Sequence, residues 1–155
     1  TADGTTIGAE RPGEFSRVLA DVPCSGLGAL RRRPEARWRR TPADVGQLGA
    51  IQRDLLTSAL DATAPGGVVA YVTCSPHLAE TRLIVADVLK RRDDVERLDA
   101  RPAVRAGLLP SVRDEVELGE GPDVQLWPHV HGTDAMFICL LRRLPVPTEE
   151  GTPRS

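Results

Sequence analysis

Val68-Val69-Ala70-Tyr71-Val72-Thr73-Cys74-Ser75 (residues 68–75) is a β-branched and aromatic run that ends in a cysteine. Such a run suits a central parallel strand covered on both faces, because a strand buried on both sides need not alternate apolar with polar residues. Upstream, Phe15–Asp21 reads as a second, short buried strand, with Val18, Leu19 and Ala20 in sequence and an acid at its end. Val22-Pro23-Cys24-Ser25-Gly26 follows it directly. Each cysteine thus falls just past a strand's carboxyl end, where open α/β sheets hold their ligands and their chemistry. Two thiols at neighbouring strand ends would face one substrate.

Helices are expected between and after these strands. Residues 22–38 are broken by Pro23, Gly26, Gly28 and Pro34 and read as a loop. Thr41-Pro42-Ala43-Asp44 then opens a helix, with Thr41 as N-cap, Pro42 in the first turn and Asp44 capping back. Leu48, Ile51, Leu55, Leu56 and Ala59 give it an apolar face at helical spacing, and Pro65-Gly66-Gly67 stops it. Ser75-Pro76 starts another helix by the same logic, with Leu78, Ile84, Val85, Val88 and Leu89 as its buried side. Lys90, Arg91 and Arg92 fall in its last turn, where positive charge favours the helix dipole. Val95–Leu98, 124–127 and 136–141 read as further strands, with a long loop over 99–123 and a disordered tail over 144–155. The order strand–helix–strand–helix–strand–strand defines an α/β layered domain.

With 155 residues, 41% hydrophobic and 27% charged, the chain suits one soluble globular core. No apolar run approaches the roughly 20 residues of a membrane span, and Thr1-Ala2-Asp3-Gly4-Thr5 lacks the pattern of a signal peptide. A cytoplasmic setting with three free thiols is the expectation. The net charge of −2 conceals segregation. Residues 31–40 hold Arg31, Arg32, Arg33, Arg37, Arg39 and Arg40 against Glu35 alone, with Trp38 among them, while 114–123 are acidic. The basic run is either a solvated face or a grip for RNA phosphates with a ring for stacking; its place beside the Cys24 loop favours RNA. Cys139 sits inside an apolar run and reads as core. His129, His131 and Cys139 match no zinc-binding spacing, so no metal is expected.

The strings Asp-Val-Pro-Cys-Ser-Gly-Leu-Gly (21–28), Pro-Gly-Gly (65–67), Tyr-Val-Thr-Cys-Ser (71–75) and His-Gly-Thr-Asp-Ala-Met-Phe (131–137) resemble the RNA (cytosine-5) methyltransferases. Within them they are most similar to the Fmu/Sun type that modifies small-subunit ribosomal RNA, as is Arg-Arg-Pro-Glu-Ala-Arg-Trp (32–38). The resemblance implies a class I S-adenosylmethionine-dependent, Rossmann-like α/β fold. It also implies methylation of carbon 5 of a cytosine in RNA, 16S rRNA by analogy. In that chemistry a thiolate adds to carbon 6 of the base and pushes electrons onto carbon 5, which is otherwise a poor nucleophile.

By resemblance Cys74 is the nucleophile, Cys24 assists the elimination that frees the enzyme, and Asp21 stabilises the adduct near N3 and touches the cofactor's methionine end. Asp3 resembles the acid on the cofactor's adenine side. In DNA cytosine-5 methyltransferases a Pro-Cys string carries the attacking thiol, so Pro23-Cys24 remains the rival to Cys74. Asp21 has the alternative of simply capping a loop.

The family's glycine-rich cofactor loop has no counterpart here, since Gly26-Leu27-Gly28 leads into arginines rather than a helix. Its Glu-Glu-Asn string is reduced to Glu80, and its Asp-Gly-Phe-Phe is Asp134-Ala135-Met136-Phe137. Residues 1–143 are therefore expected to be the C-terminal half of a catalytic domain, inactive alone. An unpaired sheet edge at residues 15–21 would offer a route to homo-oligomers. A non-catalytic RNA-binding or assembly module with the same fold is the alternative.

Overall fold

The computed structural model describes residues 2–39 and 41–145; Arg40 and the expected tail beyond 145 lie outside them. Along the chain run α1 (Ile7–Glu10), β1 (Phe15–Asp21), α2 (Ala36–Arg39), α3 (Pro42–Ala62), β2 (Thr63–Thr73) and α4 (Arg82–Leu89). β3 (Val95–Leu98), α5 (Arg101–Gly107), β4 (Val124–Gln125), α6 (Pro128–His131) and β5 (Phe137–Arg143) complete it. The sheet order is β1-β2-β5-β3, with β4 also on β5. β1 and β2 are parallel, with Asp21 opposite Val72, and α3 is their crossover. β5 is antiparallel to β2, β3 and β4, so the sheet is mixed.

α3 forms where expected. Thr41 accepts a hydrogen bond from the Asp44 N–H while the Asp44 carboxyl accepts from the Thr41 N–H, a complete capping box with Pro42 behind it. Its apolar side packs with α4 on one sheet face, where Leu56, Leu60, Ile84 and Val85 meet Val69, Tyr71, Phe137, Cys139 and Leu141. The Tyr71 and Phe137 rings lie edge to face at 6.2 Å and 71°, worth about 1 kcal/mol beyond burial. Because strand side chains alternate, Ile138 and Leu140 point the other way, onto Ala100, Leu118 and Val124. Away from the thiols, Arg143 donates to the carbonyls of Asp61 (2.9 Å) and Thr63 (2.7 Å), closing the end of α3 against β5.

Four expectations are corrected. Phe15–Asp21 is a strand but not a buried one: among the described residues β1 is an edge strand with nothing over its outer face, and Leu19 is 69% exposed. Ser75-Pro76 does not start a helix. The Ser75 hydroxyl is drawn inward to the Glu80 carboxyl, His77 caps a 3-10 turn over Leu78–Glu80, and α4 begins at Arg82. The stretch 99–123 is not all loop. The Asp99 carboxyl accepts the Arg101 N–H at 3.0 Å to open α5, which turns Val104 onto the second cluster. Pro65-Gly66-Gly67 does not stop α3, which ends at Ala62; these residues form an irregular start to β2, between the pairings Phe15 with Thr63 and Arg17 with Val68.

Candidate active site

The parallel pairing of β1 and β2 brings their carboxyl ends together, and the chain beyond each end carries a thiol. Cys24 and Cys74 lie with sulfurs 3.3 Å apart. Cys24 is buried and Cys74 partly so, both on the wall of a cleft of about 560 Å³ that Asp21, Arg32 and Arg33 also line. Gly26, at φ +74°, lets the chain turn after Cys24 in a conformation that a side chain would resist. Gly28 then packs directly on the second loop: its N–H donates to the Cys74 carbonyl at 2.9 Å, and its own carbonyl accepts the Ala135 N–H at 2.9 Å. Three loops distant in sequence thus converge on one glycine.

The two sulfurs are within hydrogen-bond reach, where either can donate. The contact with Cys74 lowers the Cys24 pKa to about 6 against the opposing effect of burial. Cys74 moves the other way, well above the usual thiol range, because its proton is held by Cys24 and because burial and the neighbouring sulfur disfavour a second charge. Asp21 adds to the repulsion. The first proton therefore leaves the pair easily and the second does not.

Beneath the thiols lies Glu80, wholly buried. Its carboxyl accepts the Ser25 N–H (2.7 Å), the Ser25 hydroxyl (2.5 Å), the Ser75 hydroxyl (2.6 Å) and the Gln52 amide (3.3 Å). Gln52, also fully buried, donates in addition to the Pro23 carbonyl at 2.8 Å, tying α3 to the same loop.

The arginine run is only partly available to a ligand. Arg31 and Arg32 both donate to Asp134 (Arg31 Nε at 2.8 Å, Arg32 Nε at 2.9 Å), which is 8% exposed. Hydrogen bonds from Arg32, then Arg31, hold that carboxyl below the usual range. Arg33 lines the thiol cleft, while Arg37 and the 84% exposed Trp38 form a separate shallow groove with Leu30 and Pro34. Arg39 ends α2.

Asp21 is exposed at the cleft and its carboxyl accepts no hydrogen bond among the described residues, so the loop-capping alternative finds no support. Asp3 is elsewhere: its carboxyl accepts from the Thr5 N–H (2.9 Å) and hydroxyl (2.8 Å) in the turn before α1. Its neighbour Gly4 lines a groove along β1 that reaches Leu19 and Asp21.

Cys139 is core, with none of its surface exposed. Among the described residues no group of three or more His, Cys, Asp or Glu is arranged to hold a metal, and no helix is long and apolar enough to cross a membrane. A larger crevice of about 870 Å³ between α1, α3 and the end of α4 contains neither Cys24 nor Cys74, and its Arg92 is paired with Asp61 and Asp94.

A mixed α/β sheet whose parallel strands present chemistry at their carboxyl ends places this molecule in the Rossmann-like, class I methyltransferase fold. A crystal structure of a methyltransferase homologue from Pyrococcus horikoshii superposes with a TM-score of 0.67 at 29% identity, over 92% of this chain and 43% of that one. The chain belongs to the 16S rRNA methyltransferase RsmB/F family, whose model matches residues 1–142. It is 62% identical over 130 residues to protein Rv1407 of Mycobacterium tuberculosis, covering 84% of this chain and 27% of that protein. It is 32% identical over 141 residues to the ribosomal RNA small subunit methyltransferase F of Serratia proteamaculans, covering 91% of this chain and 28% of that enzyme. The chain thus spans less than a third of the length of these curated relatives.

Proposed function

We propose that this chain carries the thiol pair of an S-adenosylmethionine-dependent RNA cytosine-5 methyltransferase, with small-subunit ribosomal RNA as substrate. The observation that carries the reading is the 3.3 Å contact between Cys24 and Cys74 on the wall of an arginine-lined cleft. Cys74, the more accessible sulfur, attacks carbon 6 of the cytosine as its proton passes to the adjacent Cys24 sulfur, which carries the pair's negative charge in the resting site. The carbon 5–carbon 6 π electrons move onto carbon 5, and Asp21 at the cleft's edge stabilises the ring at N3. Once carbon 5 is methylated, its proton is lost to solvent, the double bond re-forms as the sulfur–carbon 6 bond breaks, and Cys24 assists by returning its proton to the departing Cys74 sulfur.

The cofactor, when bound, supplies the methyl group as an electrophile. The groove along β1 suits its cationic methionine end, since the exposed Asp21 carboxyl stands at the end of an apolar wall of Val18, Leu19 and Ala20. Asp3, beside Gly4 at the same groove, is the candidate for the adenosine side. Arg33 and Arg37 are the candidates for RNA phosphates, with Trp38 for stacking an unpaired base. The open edge of β1 supports the view that residues 1–143 are one portion of a larger catalytic domain, inactive alone, and offers a pairing edge for a second copy. A free-thiol site of this kind suits the cytoplasm.

RNA carrying 5-azacytidine, which traps the carbon 6 adduct, tests the assignment in a longer protein that matches the full length of the relatives. The adduct is expected to persist in Cys24→Ala and to vanish in Cys74→Ala. The reverse pattern exchanges the two roles, and RNA binding without any adduct favours a non-catalytic module.

A further inference from the structure

We infer that Glu80 is a positioning residue that holds the Cys24 and Cys74 loops at the separation where the two sulfurs are within hydrogen-bond reach, an inference that rests on the thiol roles above. A single carboxyl oxygen, Oε2, accepts both the Ser25 hydroxyl and the Ser75 hydroxyl, and these serines are the immediate neighbours of Cys24 and Cys74. The other oxygen takes the Ser25 N–H. The loops beyond the two strands, already joined by the Gly28 N–H to Cys74 carbonyl bond, are thereby also referred to one atom. Glu80 is itself fixed: the Tyr71 hydroxyl donates to its carbonyl at 2.8 Å, and its N–H donates to the His77 carbonyl at 2.9 Å.

An acid with none of its surface exposed is a costly way to fill a core that an apolar side chain would fill as well. What it supplies and an apolar residue cannot is four directed contacts to two loops and α3. The 3.3 Å sulfur contact depends on that bracing, because separating the loops by an ångström takes it beyond hydrogen-bond reach even for sulfur. The charged and titratable groups facing the pair are Asp21 from β1, Tyr71 from β2, Arg32 and Arg33 from the loop after β1, and Glu80 itself.

The test is the pH dependence of thiol alkylation by iodoacetamide, read separately at Cys24 and Cys74 by peptide mass spectrometry on the full-length protein. Glu80→Ala is expected to raise the Cys24 midpoint by at least one pH unit, towards the ordinary thiol value of about 8.5, as the Cys74 donor is lost. Glu80→Gln, which keeps the shape and an acceptor, is expected to leave the midpoint at the wild-type value or below it, because the Glu80 charge opposes the Cys24 thiolate. Should Glu80→Ala fail to fold, the double variant Ser25→Ala, Ser75→Ala is expected to give the same upward shift. An unchanged midpoint in Glu80→Ala, or in the double serine variant where Glu80→Ala does not fold, overturns the inference, as does a rise in Glu80→Gln equal to that in Glu80→Ala. Because no RNA or cofactor enters the assay, its failure is distinct from a failure of the 5-azacytidine trap.

Discussion

Replacing Gly28 by alanine probes how closely the site's three loops are joined. An added Cβ would stand 2.3 Å from the Ala135 carbonyl oxygen and 2.5 Å from that of Cys74, both backbone atoms with no flexible end to swing aside. Relief needs about 1 Å of backbone movement in each direction, which strains or breaks the bonds from the Gly28 N–H to Cys74 and from the Ala135 N–H to Gly28. Overpacking of this kind costs about 1–3 kcal/mol and each lost hydrogen bond about 1 kcal/mol, so a total of about 3–5 kcal/mol follows if both bonds break. At about 2–4 °C per kcal/mol for a chain of this size, the melting temperature should fall by about 6–20 °C. Thermal unfolding followed by circular dichroism measures it, with Gly46→Ala as the control. Gly46 lies inside α3 with nothing near its would-be Cβ, so alanine there should stabilise by about 0.8 kcal/mol through helix propensity. A Gly28→Ala melting temperature within about 2 °C of wild type would refute the close three-loop junction.

The thiol pair and the arginines give two more expectations. Alkylation of Cys24 should rise with a midpoint at pH about 6, since the depressed pKa leaves it a thiolate above that pH. Cys74→Ala, which removes the donor, should move the midpoint up towards about 8.5, and a midpoint that stays near 6 would show that the Cys74 contact is not its cause. For RNA, Arg33→Ala or Arg37→Ala should each reduce the salt dependence of binding by about 0.7 in the log–log slope. Arg31→Ala should reduce it less, because its guanidinium is already committed to Asp134. Filter binding across a salt series decides, and equal slopes for all three variants would contradict the ion-pair reading.

Where local chemistry sets the outcome, the sequence was readable. The Thr41–Asp44 capping box, the apolar face of α3, the β2 run ending at Cys74 and the burial of Cys139 all follow from residues close in the chain. So does the pairing of the two thiols, once both are recognised as strand-end residues of adjacent parallel strands. What was illegible depends on distant partners. Ser75-Pro76 has the form of a helix start, and only Glu80, folded back beneath it, makes the hydroxyl an inward donor instead. Glu80 itself stood out solely as the remnant of a family string, since its partners Ser25 and Gln52 lie far upstream. Asp134 likewise gave no sign that it would claim two of the arginines, 102 and 103 positions before it. α5 was missed because its burial rests on few apolar residues, and Asp99, which opens it, reads equally well as a turn residue.

The sheet order also bears on how this molecule is made. β5, the last of the described strands to be synthesised, belongs between β2 and β3, both of which precede it. Until residues 137–143 emerge, β2 has, among the described strands, β1 alone beside it and β3 has no partner, so this segment of the nascent chain carries open pairing edges. Helices α3 and α4 can collapse early onto β1 and β2, but Phe137, Cys139 and Leu141 must arrive before that core is filled. A translational pause just ahead of β5 would therefore leave a species in which this segment lacks its central strand. That species, rather than the finished fold, is where chaperone dependence and aggregation should concentrate.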